Sequence, residues 1–322
     1  MHQKRKGWHP FWTALGAALL VLLPLVGTTV LLSRQQLRSQ LRQAAQSQRS
    51  VPLSLPREDH RLTLLLCIAG EQPGFVLLYL SAPQNCVEIL ALPAQLTVSF
   101  GDAPVPLAHC YRAAGPARCR QALQASLPLP QDTRYLALSA GVLEQLAQRY
   151  GDLRVGFSGA LTEEELAQYG RTGEVQGICA AEAHSFLCAM DADGLLPPAR
   201  RAAARAAVWD AFFRQNMDLL PTALPEGLRS VSSSLLTDLT AQDYLNLADT
   251  LEFLANAAAP VETQVLPGQW DPAADRYGIT AESLAAVQTF LRVSPTAGHA
   301  PSDREPYPST SIPESGCLPV RS

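Results

Sequence analysis

Lysine is almost missing from this chain of 322 residues: Lys4 and Lys6 are the whole supply, and every later cationic side chain is arginine. Charge of either sign is scarce, at 17% of residues, and the formal net charge is −4. Neutralising nucleic-acid phosphates needs a basic face, so this balance argues against a general nucleic-acid binder. Mean hydropathy of +0.03 is too low for a protein that threads a membrane repeatedly. There is no CxxC, no zinc-like Cys/His spacing, no glycine-rich phosphate loop, and no pair of carboxylates at a convincing catalytic spacing. These absences remove the most recognisable metal, redox and nucleotide chemistries.

What is present starts with apolar content, 47% of the chain, enough for one large domain or two small ones with a sizeable core. Cys67, Cys86, Cys179 and Cys188 stand in apolar runs, where cysteine behaves as a small hydrophobe. Cys110 and Cys119 form the one pair to test as a short-loop disulfide in an oxidising compartment, the plainer reading being free buried thiols.

From Phe11 to Leu32 runs FWTALGAALLVLLPLVGTTVLL, 22 residues without a charge. At about 1.5 Å per residue a helix of that length covers roughly 33 Å, enough for the bilayer core. Trp8, Phe11 and Trp12 suit the interface, and Lys4, Arg5 and Lys6 precede it. A cleaved signal peptide would have a shorter apolar core and a small-x-small site, which the stretch after Val30 lacks. The expectation is a cytoplasmic tail over 1–10, a transmembrane helix over 11–32 with the N-terminus inside, and an extracytoplasmic main domain over 56–293. Residues 33–55 are a stalk, read equally as a basic helix on anionic lipid, through Arg34, Arg38 and Arg42, or as a solvated linker. The Pro/Ser-rich stretch 294–322 is expected to be disordered.

Inside the domain, RLTLLLCIAG (61–70), GFVLLYLSA (74–82) and CVEILALPAQLTV (86–98) read as strands. Their apolar runs are continuous rather than alternating, which predicts a sheet covered on both faces. A helix follows over 113–124, a strand over 133–140 and a helix over 141–150. Thr162-Glu-Glu-Glu165 reads as a capping box. Pro197-Pro198 opens a helix to about Met217, with further helices over 232–257 and 280–291 and a strand over 261–270 between them. Strands alternating with helices predict an α/β/α sandwich around a mixed sheet.

This order of segments resembles the LytR–CpsA–Psr family of cell-wall proteins. An anchor leads to LLLCIAG, then GFVLLYLSA, then ILALPAQLT (89–97) with its Leu-Pro turn. His-Cys-Tyr-Arg-Ala-Ala-Gly-Pro (109–116), RYLALSAGVLEQLAQRYGDLRV (134–155) and TQVLPGQW (263–270) complete the series. The resemblance implies an α/β/α fold outside the membrane that binds polyprenyl-phosphate lipid. It also implies transfer of phosphate-linked glycopolymers to peptidoglycan, with Mg²⁺ where the protein is active. Such chemistry needs clustered guanidinium groups and metal-holding carboxylates.

At the family's catalytic positions the chain departs from the pattern. Ala69 and Gly74 stand where the family's strand aspartates would be, Ala94-Gln95 replaces its Arg-Asp pair, and Cys188 and Met190 stand at arginine positions. Arg200, Arg201 and Arg205 remain after Pro198, and Arg112 lies beside His109 and Tyr111. These four arginines are the candidate phosphate or lipid-head ligands, against the alternative of a solvated basic face. Asp191-Ala-Asp193-Gly194 lacks the remaining ligands of a calcium loop, Ser139 lacks the first glycine of a nucleophile elbow, and His109 and His184 are isolated. The resemblance therefore implies a catalytically impaired domain that binds polyprenyl-phosphate lipid or wall glycopolymer and assists envelope assembly. The alternative is an active Mg²⁺-dependent phosphotransferase with recruited arginines.

Overall fold

The computed structural model describes residues 56–101, 103–168, 171, 173–188 and 196–292. The expected tail, membrane helix and stalk over 1–55, the segment 294–322, Met190, Asp191 and Asp193 lie outside the described residues. Among those described, no helix is long and apolar enough to cross a membrane.

The chain opens with three strands, β1 (Arg61–Ile68), β2 (Gly74–Ser81) and β3 (Cys86–Leu92), then two short ones, β4 (Thr97–Phe100) and β5 (Ala103–Pro106). Next come α1 (Leu107–Ser126), β6 (Arg134–Leu138), α2 (Ala140–Ala147), β7 (Leu153–Gly156), α3 (Glu163–Gln168), β8 (Val175–Ile178) and α4 (Ala180–Cys188). The rest is α5 (Pro198–Asn216), α6 (Leu220–Ser230), β9 (Leu236–Thr237), α7 (Ala241–Asn256), β10 (Val261–Val265), β11 (Gln269–Asp271), β12 (Arg276–Gly278) and α8 (Ala281–Phe290).

The central sheet has six strands in the order β10-β3-β2-β1-β6-β9. It is mixed: β1 runs antiparallel to β2 and parallel to β6, and β3 is parallel to β10. Period-two alternation divides the apolar strands between two cores. Leu64, Leu66, Val76, Leu78 and Leu80 face the layer of α2, α4, α5, α6 and α7. Leu65, Cys67, Phe75, Leu77 and Leu92 face α1 and α8. Helices on both faces explain why these strands read as unbroken apolar runs.

Capping sets several helix starts. Thr162 and Glu165 exchange backbone-to-side-chain hydrogen bonds of 2.7 and 3.2 Å ahead of α3, and Thr240 with Asp243 and Thr280 with Ser283 form capping boxes for α7 and α8. Pro198 occupies the first turn of α5, where its missing N–H costs nothing.

Four boundaries differ from the sequence expectation. The helix read over 232–257 begins only at Ala241, because Leu236 and Thr237 pair with β6 and the Asp238 carboxylate accepts from Tyr135 N at 2.7 Å. The strand read over 261–270 breaks after Val265, since Pro267 supplies no ladder N–H. The strand read over 86–98 stops at Leu92 and resumes as β4 beyond the Pro93 turn. The helix read over 113–124 starts earlier, at Leu107, and is kinked where Gly115 adopts φ 75° before Pro116.

Candidate functional site

The sheet brings the family positions to one end. In register, Ile68 lies opposite Gly74 and beside Leu138, while Phe75 lies opposite Leu92. The C-terminal ends of β1, β3 and β6 and the start of β2 therefore share one edge, the usual place for ligands in open α/β sheets.

Three of the family positions meet there. His184 Nε2 lies 2.7 Å from the Ala69 carbonyl oxygen. The Cys188 thiol, one helical turn on, reaches the Ile68 and Ala69 carbonyls at 3.7 and 3.9 Å. A Cβ on Gly70 would sit 3.3 Å from Cys188 Sγ and 3.6 Å from His184 Cε1. Gly74 is fully hemmed in: a Cβ there would lie 2.6 Å from the Leu187 carbonyl oxygen and 3.1 Å from Arg205 Cδ. Glycine at 74 is thus what lets Arg205 cross β2. Ala94 and Gln95 follow the Pro93 turn on the α1 side, with Ala94 buried in the second core and its carbonyl accepting from Ala108 N at 2.9 Å.

The arginines divide. Arg200 turns outward to Glu165, 3.3 Å away on α3. Arg201 and Arg205, four residues apart on one face of α5, are buried at 5% and 1% exposure. Taking an ionised guanidinium out of water costs several kcal/mol unless it is paired, so two guanidinium groups concentrate positive charge at this buried edge. Arg112 is exposed on the first segment of α1. Its neighbour Tyr111 packs edge-on against Phe75 at 5.7 Å, and burial pushes the Tyr111 phenol up to about 12. Arg120 is structural: it meets Asp238 at 2.5 Å and the Thr133 carbonyl at 3.3 Å, tying α1 to β6 and β9. At the start of α4, Arg171 donates to Glu182 at 2.8 Å, and this bond, with one from Cys179 N, holds the Glu182 carboxyl below its ordinary range.

One turn of α5 beyond Arg205 lies an apolar cavity of about 100 Å³ between the sheet and the helices of the first core. Leu62, Leu64 and Leu66 of β1 form its floor, Leu187 closes it on the α4 side, and Val208 and Trp209 line it one turn beyond Arg205. Ala94 faces the other core, so the cavity borders Leu187 and Val208 rather than the Pro93 turn. An apolar cavity of about 150 Å³ in another protein stays dry and accepts benzene. As packed, this one takes a short hydrocarbon segment, and a longer chain requires the helical layer to part.

A magnesium ion does not fit the described residues at this sheet edge. It demands oxygen ligands in near-octahedral array, whereas the strand-end positions carry Ala69 and Gly74. Among the described residues, no group of three or more His, Cys, Asp or Glu could hold a metal. The arrangement can hold an anion against guanidinium groups beside an apolar chamber. His184, which the sequence left isolated, belongs to the site; its i, i+4 relation to Cys188 was the available signal.

No protein-family model and no curated protein matches the sequence. Solved structures do share its fold. Bacillus subtilis TagT superposes with a TM-score of 0.56 at 15% identity, covering 75% of this chain and 95% of that one. TagT bound to LIIa-WTA gives 0.56 and 15%, covering 74% and 94%. A protein of Eubacterium siraeum DSM 15702 taken for a transcription regulator gives 0.61 and 14%, covering 77% and 97%. TagT is a LytR–CpsA–Psr protein, so the chain carries the fold that its order of segments resembles.

Proposed function

We propose that this is a membrane-tethered, extracytoplasmic LytR–CpsA–Psr-like protein that binds polyprenyl-phosphate-linked lipid or wall glycopolymer and assists envelope assembly without catalysing transfer. The observation that carries the reading is the junction on α5: the buried Arg205 lies one turn from Val208 and Trp209 of the apolar cavity. That juxtaposition suits an amphiphile with an anionic head and a hydrocarbon tail. Likeness to a protein solved with LIIa-WTA supports a glycopolymer partner. Absent carboxylates at 69 and 74 support impaired catalysis, and the uncharged run 11–32 supports the tether.

The test uses the full chain purified in detergent. Polyprenyl phosphate should bind saturably, and Arg205→Met should weaken it by roughly 10- to 100-fold, the loss expected for one charge-assisted hydrogen bond. No Mg²⁺-dependent cleavage of a polyprenyl pyrophosphate should occur. Turnover that survives purification and falls with Arg201→Ala would establish the active transferase instead.

A further inference from the structure

A guest longer than a short hydrocarbon segment has to part the helical layer over the cavity, and most of that layer is firmly tied. Helix α2 follows β6 with one residue between them. Thr263 of β10 donates to Asp210 of α5 at 2.9 Å, and Gln215 of α5 exchanges bonds of 3.0 and 2.6 Å with the Arg154 backbone of β7. Asp243 at the start of α7 pairs with Arg134 of β6 at 3.2 Å, and Ser230 at the end of α6 accepts from Arg149 at 2.9 Å.

Helix α4 is held differently, and its side chains divide its surface into three strips. Ala183 and Leu187 line the cavity. Glu182 and Phe186 face Arg171, which donates to the carboxylate at 2.8 Å and stands 4.9 Å over the ring. Phe157 stacks on that ring at 5.9 Å, with 13° between the planes. His184 and Cys188 reach the tip of β1, where the short bond is His184 Nε2 to the Ala69 carbonyl at 2.7 Å and the thiol contacts are longer, at 3.7 and 3.9 Å. Ala69 lies one residue past β1, so this bond can open without unzipping the strand ladder.

Its position matters as much as its ties. Leu187 O and Arg205 Cδ crowd one point above Gly74, 2.6 and 3.1 Å from where a Cβ would stand, while the Leu187 side chain lines the cavity. The last turn of α4 therefore adjoins both the guanidinium edge and the apolar chamber. We propose that α4 is the gate of this cavity, pivoting on its Arg171 flank, and that His184 on the Ala69 carbonyl is its latch. Release swings Leu187 off Gly74 and makes the chamber continuous with the Arg205 edge. That a lipid passes the gate rests on the function proposed above; the opening itself does not.

The experiment pulses the native full chain in detergent with N-ethylmaleimide and follows each cysteine by peptide mass spectrometry. Cys188 sits under the gate, whereas Cys67, at 0% exposure within β1, reports global unfolding. Cys188 should label at least about tenfold faster than Cys67, and His184→Ala should raise the Cys188 rate by a further several-fold to about tenfold, the loss of one hydrogen bond. Gly70→Cys supplies a lock, since a Cβ there stands 3.4 Å from Cys188 Cβ, close to the roughly 3.5–4.5 Å of a disulfide. Bridged with glutathione disulfide, this variant should take up polyprenyl phosphate at least about tenfold more slowly than the same sample reduced with dithiothreitol. Labelling of Cys188 in step with Cys67, a Cys188 rate unchanged by His184→Ala, or equal uptake by the bridged and reduced forms overturns the gate. A reduced chain that takes up no lipid while Cys188 still labels ahead of Cys67 and responds to His184→Ala leaves the gate standing and removes the lipid reading.

Discussion

Leucine at position 183 should make the domain more stable and less able to hold lipid. Ala183 lies on α4, 7% exposed, and lines the apolar cavity. A void of about 100 Å³ costs up to about 2.4 kcal/mol at ~24 cal/mol per Å³. Ala183→Leu adds three carbons, whose burial at ~0.8 kcal/mol each reaches a similar ceiling. Imperfect fit reduces this, so the expected gain is about 1 kcal/mol, or roughly 2–4 °C in Tm for a domain of this size. The same carbons occupy the space a prenyl segment would take, so affinity for polyprenyl phosphate should fall at least about tenfold. Calorimetric melting with and without the lipid reads both effects on one sample. A variant destabilised by about 1–3 kcal/mol, as overpacking would cause, that still binds lipid at full strength would refute the reasoning, because the void would then be neither fillable nor the binding chamber.

Other substitutions test the surrounding argument. Gly74→Asp, which reinstates the carboxylate that the resemblance places there, should destabilise by about 1–3 kcal/mol, because its Cβ falls 2.6 Å from Leu187 O; a stable variant with new Mg²⁺-dependent cleavage would contradict the packing. Burial raises the Glu88 carboxyl from its ordinary 4.5 despite its bond to Arg292, so native Glu88 keeps its proton longer than the unfolded chain does. Stability should therefore decline as pH climbs from 4.5 through the raised value, and Glu88→Gln should flatten that slope in denaturant titrations. Cys110 and Cys119 are buried free thiols, Cys119 Sγ donating to the Leu107 carbonyl at 3.8 Å, so alkylation of the unreduced, unfolded chain should label both; a blocked pair would reveal a bridge, which by loop entropy would add roughly 2.7 kcal/mol.

The sheet was legible where burial leaves a linear trace. Leu64 to Ile68 and Phe75 to Leu80 are covered on both faces, and continuous apolar runs say so directly. Helix α6 was not, because Pro221, Pro225 and Gly227 read as breakers, whereas packing against α7 and the first core overrides them. The start of α7 was misplaced for a related reason: Leu235, Leu236 and Leu239 have helical spacing, but Asp238 is claimed by Tyr135 N and Arg120 across the sheet. At the site, the arginine group was visible as a cluster, yet its division was not drawn. Positions 201 and 205 share a helical face, and 200 lies about 100° away, so the split was available from periodicity alone. The cavity leaves no such trace, since its lining side chains come from nine strands and helices, and the loops beside them, that meet only in three dimensions.

The direction of β1 carries one more implication. The described chain enters at Pro56, beside the start of β1, and the guanidinium end lies past Ile68. Eight residues at ~3.3 Å each set those two points about 26 Å apart. Leu62, Leu64 and Leu66 pave the interval with hydrocarbon. Under the function proposed above, a guest seated head-up at the arginines therefore lays its tail back along β1 toward the end at which the described chain enters, so head and tail are read by opposite ends of a single strand.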